Sequence, residues 1–136
     1  MIDGITYIND SKATNAAAAA NALACYESIY WIAGGRSKEG GIESLAPYFR
    51  DVRHAFLIGE AAGEFARTLE GRVAHTRSGD LASAVAAASA KARADGLKNA
   101  IVLLSPACAS FDQFVDFEAR GDAFRALVQA VPGARA

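Results

Sequence analysis

The feature that most constrains this chain is a regular alternation of short apolar runs with longer alanine-rich segments. Residues 4–9 (GITYIN) are β-branched and aromatic, which suits a strand. Residues 15–25 are rich in alanine and free of Pro and Gly, which suits a helix. Residues 28–33 (SIYWIA) form a second strand, stopped by Gly34-Gly35, and a short helix is expected over 42–48. A third strand is expected over 54–58 (HAFLI), ended by Gly59. A helix over 60–69 follows, with an acidic first turn that suits the helix dipole. Residues 72–75 are expected as a short strand, and 80–94 as a long helix closed by Gly96. The most apolar strand spans 99–104 (NAIVLL). A last helix is expected over 113–129, with a break near Gly121, and 131–136 as a frayed tail. Strand and helix in this order give βαβ units. The expected fold class is therefore α/β, in three layers, with a mostly parallel sheet and helices on both faces. The uninterrupted IVLL run fits a strand buried on both sides.

Composition narrows the function. The length of 136 residues fits one domain with a real core. With 14 Lys+Arg against 15 Asp+Glu, no basic excess exists to neutralise a phosphate backbone, so nucleic acid is not an expected partner. The alanine run at 16–20 is followed by Asn21, far short of the roughly 20 apolar residues that span a bilayer. The start, MIDGITYIND, lacks the features of a signal peptide. A cytoplasmic location, no membrane partner and a monomer are expected. Cys25 and Cys108 belong to no CxxC pair and read as free thiols. The only histidines, His54 and His75, show no ligand spacing with them, so no metal site is expected.

Ligands of parallel α/β sheets bind where strands end at their carboxyl edge. Three loops that follow strands are unusual. The first, DSKATN at 10–15, places an acid, Lys12 and two hydroxyls before a helix, with Thr14 or Asn15 as a natural N-cap. A helix N-terminus beside a lysine suits an anion; a capped helix with a solvated lysine is the plainer alternative. The second, GGRSKEGG at 34–41, has four glycines, Arg36 and Lys38. It matches neither a P-loop nor a dinucleotide fingerprint, and a flexible surface loop is its plainer alternative. The third, SPACASFDQF at 105–114, has a capping-box spacing from Ser110 to Gln113. An ordinary helix start explains it equally well. If the three strands are neighbours, these loops face one crevice suited to a small carboxylate or phosphate ligand.

Taken together, NDSKATN, GGRSKEGG and LLSPACASFDQFVDFEARGDAF resemble the C-terminal domain of the Mur ligases, in the D-glutamate-adding branch. The resemblance covers essentially the whole chain, in order. DSKATN and SPACASFDQF are its specific parts, and the glycine loop alone is not. It implies a Rossmann-like fold, the third of three domains. The preceding two, which bind the UDP-sugar and carry a P-loop ATPase, are outside these 136 residues. Met1 falls just before the first strand and is expected to be an artificial start; by resemblance the family's domain begins somewhat earlier, and an arginine there that contacts nucleotide has no counterpart here.

The resemblance further implies an ATP-dependent C–N ligase that adds D-glutamate to UDP-N-acetylmuramoyl-L-alanine through an acyl phosphate, in peptidoglycan precursor synthesis. ATP and Mg2+ serve the intact ligase, and no cofactor is expected on this domain alone, which is expected to be inactive. By resemblance, Thr14 and Lys38 hold the side-chain carboxylate of D-glutamate. Ser110, the Phe111 backbone and Phe117 hold its α-carboxylate. Asp10 accepts from the ATP ribose hydroxyls. Lys12 sits near the phosphates as the catalytic charge. The family often has an acid where Arg36 stands, so Arg36 is left out of the site. The alternative to a ligase domain is a free-standing Rossmann-like nucleotide- or phosphate-binding module. A scaffold domain with vestigial loops is a third reading.

Overall fold

The computed structural model describes residues 4–36, 41–108, 114 and 116–131. Its strands are β1 (Thr6–Asn9), β2 (Ile29–Gly34), β3 (Val52–Ile58), β4 (His75–Gly79) and β5 (Ile101–Leu104). Its α-helices are α1 (Ala16–Cys25), α2 (Ala62–Leu69), α3 (Leu81–Asp95) and α4 (Phe117–Gln129). A 3-10 helix, Glu43–Asp51, joins β2 to β3. The strands pair in parallel in the order β1-β5-β2-β3-β4.

Side chains alternate across each strand and so build two cores. Trp31, Ala55, Leu57, Ile101 and Leu103 face α1, the 3-10 helix and α2. Tyr30, Ile32, Phe56, Val102 and Leu104 face α3 and α4. Full burial of each large apolar side chain contributes about 1.5–3 kcal/mol, so both helical layers are held chiefly by these strands. The expected three-layer α/β architecture is what the chain adopts. The helices between β1 and β4 lie on one face, and the chain reverses across the sheet through α3 on the other, as a constant crossover hand requires.

Three expectations need correction. The strand expected at 72–75 lies at His75–Gly79, shares only His75 with that expectation, and has exposed Thr76 and Arg77. It is an edge strand fixed by pairing with β3, not by apolar alternation. The last helix starts at Phe117, not Gln113, because Asp116 is its N-cap and accepts from Ala119 N–H at 2.8 Å. It continues through Gly121 without a break. The short helix expected over 42–48 is of the 3-10 type and runs to Asp51; Pro47 within it lacks the N–H that a regular ladder needs.

Candidate functional site

β5 lies between β1 and β2, so the carboxyl ends of these three strands are side by side. The chain leaves β1 and β2 toward one face and β5 toward the other. Reversals of this kind open crevices at the strand ends. The condition set by the sequence, that the loop-bearing strands be neighbours, is met.

The loops are tied to one another by backbone hydrogen bonds. Asp10 N–H donates to Leu104 O at 2.7 Å, and Ala13 N–H to Asp10 O at 2.9 Å. Ala107 N–H donates to Ala13 O at 2.9 Å, and Gly34 N–H to Pro106 O at 3.0 Å. Gly34 has φ +129, and a Cβ there would collide with the Ile58 carbonyl, so only glycine fits this strand end. The buried Trp31 indole N–H donates to Ser105 O at 2.7 Å and fixes the start of the loop after β5.

Asp10 is half-buried, and its Oδ2 accepts from the Ser105 hydroxyl at 2.9 Å. A carboxylate has further lone pairs to offer to a ligand's hydroxyls. Lys12 is exposed and lines two clefts. One, of about 480 Å³, lies against α1 and includes Asp10, Ala22 and Tyr26. The other, of about 350 Å³, lies against α4 and includes Phe117, Gly121 and Arg125. Thr14 is half-buried just before Asn15, and Asn15 is the N-cap of α1, accepting from Ala18 N–H at 2.9 Å.

Behind Lys12 the loop is clamped to α4. Ser11, 4% exposed, donates from Oγ to Phe117 O at 2.6 Å. Arg120, 1% exposed, donates from Nε to Ser11 Oγ at 2.9 Å and from Nη2 to Ser11 O at 2.7 Å. Asn9 donates from Nδ2 to Gly121 O and accepts from Ser11 N–H, both at 3.2 Å. A Cβ on Gly121 would lie 3.1 Å from Asn9 Nδ2, which explains a glycine inside a helix.

Of the expected site residues, Asp10, Lys12, Thr14 and Phe117 are in this region, and Lys12 shares one cleft with Asp10 and the other with Phe117. Lys38, Ser110 and Phe111 lie outside the described residues. The N-cap of α4 is Asp116, and the capping expected of Ser110 lies outside the described residues. Arg36 pairs with Glu60 at 3.5 Å with both side chains more than half exposed, an arrangement of little energetic weight. The sequence reasoning missed Asn9, Ser11, Ser105 and Arg120. A glycine in an otherwise helical pattern was the available signal, and it marks close backbone approach here rather than a break. Among the described residues no three His, Cys, Asp or Glu side chains come together. Tyr30, the second residue of β2, is pushed up by burial and by its bond to Asp95 at the end of α3.

Residues 1–108 match the family model described as "Mur ligase, glutamate ligase domain". The chain belongs to this Mur ligase family. It is 61% identical over 127 residues to the UDP-N-acetylmuramoylalanine–D-glutamate ligase of Paramagnetospirillum magneticum, covering 93% of this chain and 28% of that protein. It is 60% identical over 129 residues to the ligase of the same name from Nitrobacter hamburgensis, covering 95% and 28%. For Rhodospirillum rubrum the figures are 57% over 135 residues, 99% and 28%. The chain thus spans little more than a quarter of the length of these relatives.

Proposed function

We propose that this chain is the C-terminal, amino-acid-binding domain of a cytoplasmic, ATP-dependent ligase that joins D-glutamate to UDP-N-acetylmuramoyl-L-alanine. The observation that carries the reading is the junction at the end of β1, where Lys12 stands between the cleft beside Asp10 and the cleft beside Phe117. The names of the relatives support the choice of substrates.

In the intact ligase, ATP phosphorylates the alanyl carboxylate to give an acyl phosphate and ADP. The D-glutamate amine attacks the acyl carbon, and the tetrahedral intermediate expels phosphate. This chain's part is positioning and charge stabilisation. Asp10, held by Ser105, accepts from the ribose hydroxyls. Lys12 offsets charge on the phosphates. Thr14 and Lys38 bind the side-chain carboxylate of D-glutamate, an ammonium beside a hydroxyl being a strong charge-assisted pair. Ser110, the Phe111 backbone and Phe117 receive the α-carboxylate. The UDP-sugar and P-loop ATPase domains belong to the rest of the longer protein. Magnesium, which serves the ATP of the intact ligase, is proposed to be held mainly by the ATPase domain. The chain alone is proposed to be inactive, monomeric, and without nucleic-acid or membrane partners.

Lys38→Ala in the longer ligase tests the assignment. Loss of a charged hydrogen bond costs about 1.5–3 kcal/mol, so the D-glutamate KM should rise roughly ten- to a hundredfold. An unchanged KM removes Lys38 from the pocket.

A further inference from the structure

The residues around the end of β1 alternate in what they touch. Asn9 and Ser11 bond α4, while Asp10 bonds Ser105 and the Lys12 side chain is exposed; Asn9, Ser11 and Lys12 all contribute to the clefts. The α4 groups they reach are the carbonyls of Phe117 and Gly121, four residues apart and therefore one turn apart on the same helix face. Ser11 Oγ donates to one of these carbonyls and accepts from Arg120, so its hydroxyl hydrogen has a fixed direction. Asn9 spans Gly121 O and Ser11 N–H, joining the two halves of the network. Gly121 is intrinsically unfavourable inside a helix, and its place is explained by the Asn9 amide lying against it.

We infer that Asn9 and Ser11 are positioning residues, locking the loop after β1 and the first turn of α4 into one body. Asp10, Lys12 and Phe117 are then presented to nucleotide and amino acid in one geometry, and neither subsite shifts without the other. The inference rests on the ligase reading, which supplies the ligands of those three residues. It concerns the contacts by which Asn9 and Ser11 hold α4, at the rim of the clefts that Lys12 and Phe117 line.

Ser11→Ala in the longer ligase removes both Oγ contacts and leaves Asp10, Lys12 and Phe117 intact. Both the ATP KM and the D-glutamate KM should rise about two- to tenfold, as expected when a hydrogen bond of ordinary strength is lost. Val85→Ala, a truncation inside the α3 core, serves as the stability control and should leave both KM values unchanged at a comparable loss of Tm. A rise in only one KM, or in neither, overturns the inference. So does an equal rise in the Val85→Ala control. Amide hydrogen exchange on the same variants tests the clamp without reference to substrate. Exchange in Ser11→Ala should quicken together over 10–14 and 117–121. Quickening confined to the loop overturns the one-body arrangement. A ligase whose unaltered form turns over without D-glutamate fails the functional reading instead, and the exchange result then decides the clamp by itself.

Discussion

Replacing Gly121 by alanine sets two opposed effects against each other. Alanine is favoured over glycine in a helix interior by about 1 kcal/mol. Against that, the new Cβ would stand 3.1 Å from Asn9 Nδ2, 3.3 Å from Oδ1 and 3.4 Å from Ser11 Cβ. Asn9 must withdraw by a few tenths of an ångström to restore ordinary contact. Its two hydrogen bonds, both at 3.2 Å, then stretch toward the limit of useful geometry. Losing them costs about 0.5–1.5 kcal/mol each, and the overpacking adds about 1 kcal/mol or more. The net expectation is a destabilisation of about 1–3 kcal/mol, or roughly 4–12 °C in Tm for a domain of this size. Urea unfolding of the chain with and without the substitution measures it. In an Asn9→Ala background the obstruction is gone, and Gly121→Ala should become stabilising, so the double-mutant cycle should be strongly non-additive. A higher midpoint for Gly121→Ala alone, or additivity in the cycle, would refute the packing argument.

Three further expectations follow from the same contacts. Asp116→Ala removes the N-cap of α4 and should cost about 1 kcal/mol in urea unfolding; no loss would mean that another residue caps the helix. The Asp95 carboxylate is held below its ordinary value of 3.8, first by the Tyr30 hydroxyl at 2.7 Å and then by Lys91. Its folded-state value lies below the unfolded one, so its contribution is present above the ordinary carboxylate range and fades as pH falls through the lowered value. Tyr30→Phe should move the Asp95 carboxyl titration, read by carbon NMR, upward; an unmoved midpoint would contradict the assignment. His54 is lowered from 6.5, first by burial and then by Lys91 and His75, and its Nε2 lies 2.8 Å from Thr76 Oγ1. The unfolded chain therefore binds this proton more readily, and stability should fall as pH drops below about 6.5. A ring titration at or above 6.5 would overturn that sign.

Much of this fold is legible in the sequence wherever a segment carries its own signal. The apolar runs of β2, β3 and β5 are buried on both faces, so a continuous hydrophobic stretch identifies each to within about two residues. α1 and α3 have high alanine content and good caps, and their ends at Asn15, Asp80 and Gly96 are local chemistry. What fails is what depends on partners far along the chain. β4 (HTRSG) has no apolar pattern, and only its pairing with β3 makes it a strand. The capping-box spacing at Ser110 places the start of the last helix at Gln113, whereas α4 begins at Phe117 with Asp116 as its N-cap. Asp10, Lys12 and Thr14 were marked by their place between a strand and a capped helix. The proximity of Lys12 to Phe117, more than a hundred residues on, follows from β5 entering beside β1, which no local pattern encodes. The clamp was hidden for the same reason, since Ser11 and Arg120 are 109 residues apart in sequence.

The proposed substrate-binding edge comprises the carboxyl ends of β1 and β5 and the first turn of α4. Amide hydrogen exchange on the longer ligase, with a non-hydrolysable ATP analogue and D-glutamate, tests it most directly. The account predicts added protection over 10–14 with nucleotide. It predicts further protection at Thr14 and around Phe117 with D-glutamate, larger than with L-glutamate. Unchanged exchange in both segments, or protection that does not distinguish the two enantiomers, would contradict it.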